Sequence, residues 1–476
     1  VLKGDEETMM QMIADTIAGE RGVAGVQQLL APTQIRPILE RMMQQPARLA
    51  ACHLRRAKFK PGRKITAYYD LEIGASSEPR HNRTRRSIAV TWQLPGVQQP
   101  LSTATGALGV EIAARGLAAP FQQLIHAEPD ATMHVQVAPF DPLYPQLARL
   151  ADPTYLCEVL RDYTLDDYAP DESRWQVTPI RYRPRQRHVL RYDASLQQHG
   201  GTAAALTDTP TTGVQKTLFA KLYADAGRQG DAALLQQLAE WLTAMPTATR
   251  VLQPLAYLPG EYTVLYAQAP GEPLSANLGA PSAAADRAIA KQLWQAGAAL
   301  RRLHDAPAHL TSSLPAQPIA QEVKAIRRTC EQIAVLLPAL GWQIDSLLTR
   351  ATEHYAALPQ EAPTFVHGDF KADHLLAANS QLTLLDFDSC ALADPALDIG
   401  KFLADLAWHM DGAHAAMANA FLAGYGLAST APRLRRARVW QALIGIKIVA
   451  HRVQIFDRQW AMRTTAAMRR VNACFG

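Results

Sequence analysis

Apolar residues along this chain follow two rhythms. In the opening segment, to about Pro46, Met9, Met10, Ile13 and Ile17 recur at helical spacing and predict a helical entry. The rhythm then shortens to two. Lys58–Glu72 (KFKPGRKITAYYDLE) predicts two strands around a Pro61-Gly62 turn, and Ser87–Trp92 (SIAVTW) a third. A second β-rich block repeats the scheme. Thr178–Ala194 (TPIRYRPRQRHVLRYDA) predicts strand, Pro-containing turn and strand, and Thr217–Tyr223 (TLFAKLY) the next strand. Placing Pro61 on Pro184 also places Phe59 on Tyr182, Tyr69 on Tyr192 and Asp70 on Asp193. Placing SIAVTW on TLFAKLY sets Ala89 on Ala220 and Val90 on Lys221, so an internal duplication is expected, with a longer loop in the second copy. A helix is expected at about Gly230–Ala244, and strands around Val251–Leu258 and Tyr262–Gln268. From about Ala283 the pattern is mostly helical, with Ile289, Leu293, Leu300 and Leu303 forming the apolar stripe of a buried helix. The order is a β-rich lobe, a short connector (Ala267–Leu274) and a helical lobe, and a cleft between two such lobes commonly holds a nucleotide.

Composition narrows the class. Of 476 residues 48% are hydrophobic and 19% charged, enough for a large core and too apolar for a mainly disordered chain. A net charge of +5 over this length is no nucleic-acid footprint. The basic run PRHNRTRR, in the loop Gly74–Arg86, lacks interleaved aromatics and reads as a solvated hairpin loop in preference to a nucleic-acid patch. The cysteines Cys52, Cys157, Cys330, Cys390 and Cys474 are scattered without a C-x-x-C, which suits reduced, intracellular usage. The N-terminal stretch is acidic and lacks a signal core, and the most apolar stretch, Trp440–Phe456, is broken by Lys447, His451 and Arg452. A soluble cytoplasmic protein is expected, with no nucleic-acid or membrane partner.

The candidate chemistry is concentrated in Thr364–Leu406. Phe365-Val366 enters the loop His367–His374, Leu375-Leu376 and Leu382–Asp386 read as short strands around an Asn379-Ser380 turn, and Asp386-Phe387-Asp388 follows. Asp369 and Asp386, at neighbouring strand ends, can converge on one small volume. Phosphoryl transfer needs that pairing: one carboxylate at the acceptor hydroxyl and one hard oxygen ligand for a divalent ion.

HGDFKADHLL followed by LLDFDSCALADPALDIG resembles the catalytic and metal-binding loops of the aminoglycoside phosphotransferase and choline kinase-like family, which shares the protein-kinase fold. The resemblance covers about Gln176 to Gly476. It implies an α+β, bilobal kinase-like fold: a β-rich small lobe at 171–268 and a helical large lobe at 269–476. Ahead of them, 1–170 would be an extra N-terminal α+β domain, a degenerate copy of the small-lobe sheet that does not bind nucleotide and is a packing, partner-binding or self-association module. The resemblance makes Asp369 the catalytic base, Asp386 the magnesium ligand with Asp388 assisting, and Lys221 the strand lysine on the α- and β-phosphates, with Glu240 as its ion-pair partner. His367, Asp394 and Asp398 would brace the loops. The turn Pro184–Arg187 takes the place of the phosphate-covering loop without a glycine, so Arg185 or Arg187 would supply charge. Ala267 and Ala269 lie on the connector that would meet the base. The sequence departs from the family in two places. His374 stands where the family has a metal-binding Asn; either it ligates, favouring Mn2+ over Mg2+, or Asp373 supplies the oxygen, or transfer is lost. Lys371 stands two residues after Asp369, where it would neutralise charge at the transferred group. The implied function is ATP- or GTP-dependent phosphorylation of a hydroxyl on a sugar, amino sugar, aminoglycoside or amino alcohol. The alternative is a nucleotide-binding pseudokinase acting as sensor or scaffold.

Overall fold

The computed structural model describes residues 2–74, 83–94, 103–127, 132–161, 175–196, 214–225, 229–244, 249–278, 283–410 and 414–473. They fall into two compact units, Val1–Gln229 with Pro254–Gln268, and Gly230–Gln253 with Ala269–Gly476.

The first unit opens with helices Leu2–Ala18, Gly22–Leu30 and Pro32–Met42, which fill the segment read as helical. A five-stranded sheet follows: β1 (Leu49–Lys60), β2 (Lys64–Ile73), β3 (Thr84–Gln93), β4 (Ile125–Ala127) and β5 (Met133–Val137), in the antiparallel order β1-β2-β3-β5-β4. A second five-stranded sheet is built from β6 (Trp175–Arg181), β7 (His188–Leu196), β8 (Val214–Leu222), β9 (Ala256–Leu258) and β10 (Thr263–Ala267). Its order is β6-β7-β8-β10-β9, also antiparallel, the same topology as the first. In both, a helix follows the third strand in the chain, Thr103–Ala114 and Gln229–Thr243. The likeness extends to side chains. The Tyr69 hydroxyl donates to the Leu30 carbonyl at 2.8 Å, and that of Tyr192 to the Leu150 carbonyl at 3.0 Å. Asp70 accepts from Ser87 directly opposite it at 2.8 Å, and Asp193 accepts from Thr217 opposite it at 2.7 Å.

This register corrects the alignment of the third strands by one residue. Counting from Asp70–Ser87 and Asp193–Thr217, Ala220 corresponds to Val90 and Lys221 to Thr91. A one-residue slip exchanges the two faces of a strand. Val90 and Ala220 are both fully buried, and Thr91 and Lys221 are both half-buried, so only this register keeps inward positions together. The first copy still lacks an ammonium at the position of Lys221.

Both sheets contribute to one core. Tyr68 and Ala89 from the first pack in the same cluster as Tyr182, Leu190, Tyr192 and Leu218 from the second, with Leu147, Leu150 and Leu156 from the helices Gln146–Leu150 and Pro153–Leu160. Buried Asp141 adds a polar tie, accepting from His188 Nε2 at 2.8 Å and from the Arg185 N–H at 2.7 Å. The domain boundary expected near residue 170 lies in 162–174, outside the described residues, as does much of the basic loop after Gly74. Its described end is committed to the fold: Arg83 pairs with Glu72 at 3.0 Å, and Arg86 donates to the Ala119 carbonyl at 2.8 Å.

The strand expected over Val251–Leu258 is divided. Thr249–Val251 pairs in parallel with Gln381–Leu384 in the second unit, and Ala256–Leu258 is the edge of the second sheet. Pro254 lies between them, and proline cannot donate to a ladder. The second unit is mainly helical, with long helices at Ala283–His304, Ile319–Leu336, Pro338–Ala357, Ala396–His409 and Pro432–Arg452. Ile289, Leu293, Leu300 and Leu303 are buried as the stripe predicts. Among the described residues no helix is long and apolar enough to cross a membrane.

Candidate active site

Two small antiparallel strand pairs in the second unit position the loops. Thr364–Val366 pairs with Ala391–Ala393, and Leu375–Ala378 pairs with Gln381–Leu384. His367–Asp369 follows the first strand of one pair, and Leu385-Asp386 follows the last strand of the other. His367 joins them: its Nε2–H donates to the Leu385 carbonyl at 2.9 Å, and its Nδ1 accepts the Asp369 N–H at 3.3 Å. Burial lowers the pKa of His367, which favours the neutral ring this pattern needs. Gly368 has φ +73°, and a Cβ there would lie 2.1 Å from the Ser389 carbonyl oxygen, so the position requires glycine. Fully buried Asp398 holds the turn from behind, accepting the N–H of His367 at 2.6 Å and of Gly368 at 2.9 Å. Asp394 accepts from Arg436, from the Tyr355 hydroxyl and from the Ala396 N–H, bracing the start of the helix Ala396–His409.

Asp369 sits between two ammonium groups. Lys401 Nζ is 2.7 Å from Oδ1 and also donates to the Gly368 carbonyl at 2.9 Å; Lys371 Nζ donates to Oδ2 at 2.9 Å. Burial alone would raise this carboxyl's pKa, but Lys401 and Lys371 outweigh it and hold the group well below the usual carboxylate range. His374 lies between the two key aspartates. Its Nδ1 is 3.0 Å from the Asp369 carbonyl oxygen, and its Nε2 is 3.6 Å from Asp386 Oδ2. Burial, with repulsion from Lys371, pushes its pKa down to about 4, so the ring is neutral at pH 7. A neutral ring that donates from Nδ1 to the carbonyl leaves the Nε2 lone pair facing Asp386.

Asp369, His374 and Asp386 offer ligand atoms within 4.8 Å of one another. Because both Asp369 oxygens are engaged by lysines, a divalent ion would be held chiefly by Asp386 and His374 Nε2. Asp386 occupies the left-handed region (φ 60°, ψ 62°), a strained setting for a non-glycine residue that fits a functional constraint. Asp388 is half-buried on the following turn, Phe387–Ser389. Asp373 is exposed and lies 3.9 Å from Arg452.

The remaining candidates are distributed over both units. Lys221 is on β8, paired between Val189 and Val264, and half-buried. Arg187 follows the β6–β7 turn, and Ala267 ends β10; these three belong to the first unit. Ala269 and Glu240 belong to the second, where exposed Glu240 accepts from Gln236 at 3.1 Å.

Sequence reasoning missed Lys401, Asp405 and Arg452. Lys401 was detectable: in the helix Ala396–His409 it is a single lysine among buried positions, and a buried ammonium requires a counter-charge. Buried Asp405, one turn on, accepts the Ala372 N–H at 2.9 Å and pairs with Arg452 at 2.6 Å. These residues border a cavity of about 370 Å3 that opens on Asp369 and is also lined by Lys371, Glu322 and Lys447.

The model of the phosphotransferase enzyme family matches residues 196–440, more than half of the chain. The chain belongs to this family. The match contains both the Asp369 loop and the Asp386 loop. Among solved structures, similar folds include the GDP complex of aminoglycoside 2'-phosphotransferase-IIIa (16% identity, 68% of this chain and 98% of that one, TM-score 0.44). A spectinomycin phosphotransferase in complex with ADP and spectinomycin shares 14% identity over 68% of this chain and 97% of that one, with a TM-score of 0.44. A choline/ethanolamine kinase family protein from Mesorhizobium loti shares 15% identity over 55% of this chain and 84% of that one, with a TM-score of 0.39. No curated protein gives a significant match.

Proposed function

We propose that this phosphotransferase moves the γ-phosphoryl group of ATP or GTP to a hydroxyl of a small molecule. The observation that carries the reading is the convergence of Asp369 and Asp386 on His374, with the cavity opening at Asp369. The acceptor hydroxyl would sit against Asp369. As its oxygen bonds to the γ-phosphorus, the bond to the β-phosphate bridging oxygen breaks and the hydroxyl proton passes to the Asp369 carboxylate. The carboxylate is held ionised by two lysines, so it suits orienting the hydroxyl and taking a proton late, as expected for a loose transition state. Lys371 would turn from Asp369 to the transferred group. Asp386 and His374 would hold a divalent ion, which supplies charge neutralisation at the phosphates when bound. Because one of the two donors is an imidazole, Mn2+ suits the pair better than Mg2+.

The charges in the cavity bear on the acceptor. Its carboxylates are all paired: Asp369 with Lys371 and Lys401, Glu322 with Lys447 at 2.6 Å, and Asp405 with Arg452 at 2.6 Å. A polycationic acceptor would have to displace those lysines and that arginine. A sugar or another uncharged or anionic hydroxyl compound fits better. Nucleotide binding tests the reading first. ATP or GTP should raise the melting temperature in the presence of Mn2+ or Mg2+, and Asp386→Asn should abolish the metal-dependent part. If neither nucleotide shifts the parent protein with either metal, the proposal and its pseudokinase alternative both fail.

A further inference from the structure

The first unit gathers basic side chains from its first sheet and from the end of β6. Arg56, Lys58 and Lys60 alternate on one face of β1, with Lys64 opposite Lys60 on β2. Arg181 and Arg183, at the end of β6, come to the same place: Lys58 Nζ donates to Gln186 in the β6–β7 turn at 3.2 Å, and the Arg183 guanidinium lies over the Tyr68 ring at 5.9 Å. Apart from exposed Lys60 these cations are half-buried, and they repel one another. Burial and the neighbouring Arg56, Arg183 and Arg181 push Lys58 down to about 8, and burial with Arg56 and Arg181 pushes Arg183 down to about 9.

Nearby carboxylates are committed elsewhere. Asp70 lies 3.6 Å from Arg55 and accepts from Ser87; Asp141 accepts from His188, from the Arg185 N–H and from the Leu143 N–H. Among the described residues no carboxylate forms an ion pair with Arg56, Lys58 or Arg183, and the buried Nε of Arg183 has no hydrogen-bond partner. Half-buried cations set together without an anion are costly, and an unmet guanidinium donor adds to the cost. Guanidinium and ammonium groups in this density match the three or four oxygens of a phosphate.

We infer that the face formed by Arg56, Lys58 and Arg183 is a binding site for a phosphate group, either free phosphate or that of a phosphorylated small molecule. It goes beyond the proposed transfer activity, because Arg56 and Lys58 belong to the first sheet, and Arg56, Lys58 and Arg183 all lie outside the Asp369 and Asp386 loops and outside the turn Pro184–Arg187 read as covering the nucleotide phosphates, which this face adjoins through Gln186. The test is calorimetry on the full chain at physiological salt, with inorganic phosphate, pyrophosphate and glucose 6-phosphate as probes. At least one should bind saturably, and the order of affinity decides between free phosphate and a phosphorylated metabolite. Lys58→Gln and Arg183→Gln should each weaken binding about tenfold or more, and Arg183→Lys should restore part of it. Without anion, the two glutamine variants should melt no lower than the parent, since each relieves repulsion. The inference is overturned if no probe binds saturably, or if both glutamine variants bind as the parent does. Metal-dependent ATP binding measured alongside reports on the transfer site, so failure here leaves that reading intact.

Discussion

Lys401 offers a sharp test of the electrostatics around Asp369, because the family resemblance did not point to it. Lys401→Met keeps the aliphatic stem and removes the ammonium. Asp369 Oδ1 then loses a contact of 2.7 Å, and the Gly368 carbonyl loses its donor. Both side chains are less than one third exposed, at 16% and 25%, so solvent screens the pair only in part. A charge-assisted hydrogen bond in such a place is worth about 1.5–3 kcal/mol. Lys371 remains on Oδ2, which keeps the loss within that range. The pH dependence follows from the direction of the Asp369 shift. A depressed folded-state pKa contributes stability that is present above the unfolded value of about 3.9 and lost as pH falls through the folded value. The gap between parent and variant should therefore be full at pH 7 and narrow below about pH 4. Urea unfolding of the metal-free protein at several pH values measures it. A gap at pH 7 below about 0.5 kcal/mol, the scale of an exposed pair, would refute the reasoning, as would a gap that widens in acid.

Other outcomes are expected from the same geometry. Asp369→Asn should lower turnover on any acceptor by roughly 10²–10⁴ while leaving nucleotide affinity nearly unchanged, as steady-state kinetics and calorimetry would report. His374→Asn exchanges a nitrogen ligand for a carbonyl oxygen, so the preference of nucleotide binding should move from Mn2+ toward Mg2+; identical metal curves would show that His374 is not a ligand. Asp398→Ala strips the acceptor from two backbone N–H groups and should cost roughly 2–5 kcal/mol in chemical denaturation. Lys221→Met should weaken nucleotide binding in calorimetry without changing the fold by circular dichroism.

Local pattern and special residues revealed much of this protein. The strands around Pro61-Gly62 and Pro184 were legible because alternation and turn chemistry agree there, and the matching Tyr and Asp positions exposed the repeat before its shared strand order was visible. The alignment of the third strands slipped by one because apolar runs were matched, whereas register is fixed by cross-strand partners such as Ser87 and Thr217. Asp369 and Asp386 stood out through their flanking His-Gly and Phe. Lys401, Asp405 and Arg452 did not, because their role depends on helices that return to the loop from 30 to 80 residues later. The division of Val251–Leu258 between two sheets was hidden for the same reason: a three-residue strand carries too little pattern to say which partner it will find.

Labelled γ-phosphate transfer tests the central claim most directly. Purified parent protein and the Asp369→Asn variant would be incubated with γ-labelled ATP or GTP, Mn2+ or Mg2+, and a panel of neutral sugars, sugar acids, aminoglycosides and amino alcohols. The account predicts label on the hydroxyl of an uncharged or anionic acceptor with the parent, and loss of most of that label with Asp369→Asn. Transfer that persists undiminished in Asp369→Asn, or transfer confined to the polycationic acceptors, would contradict it.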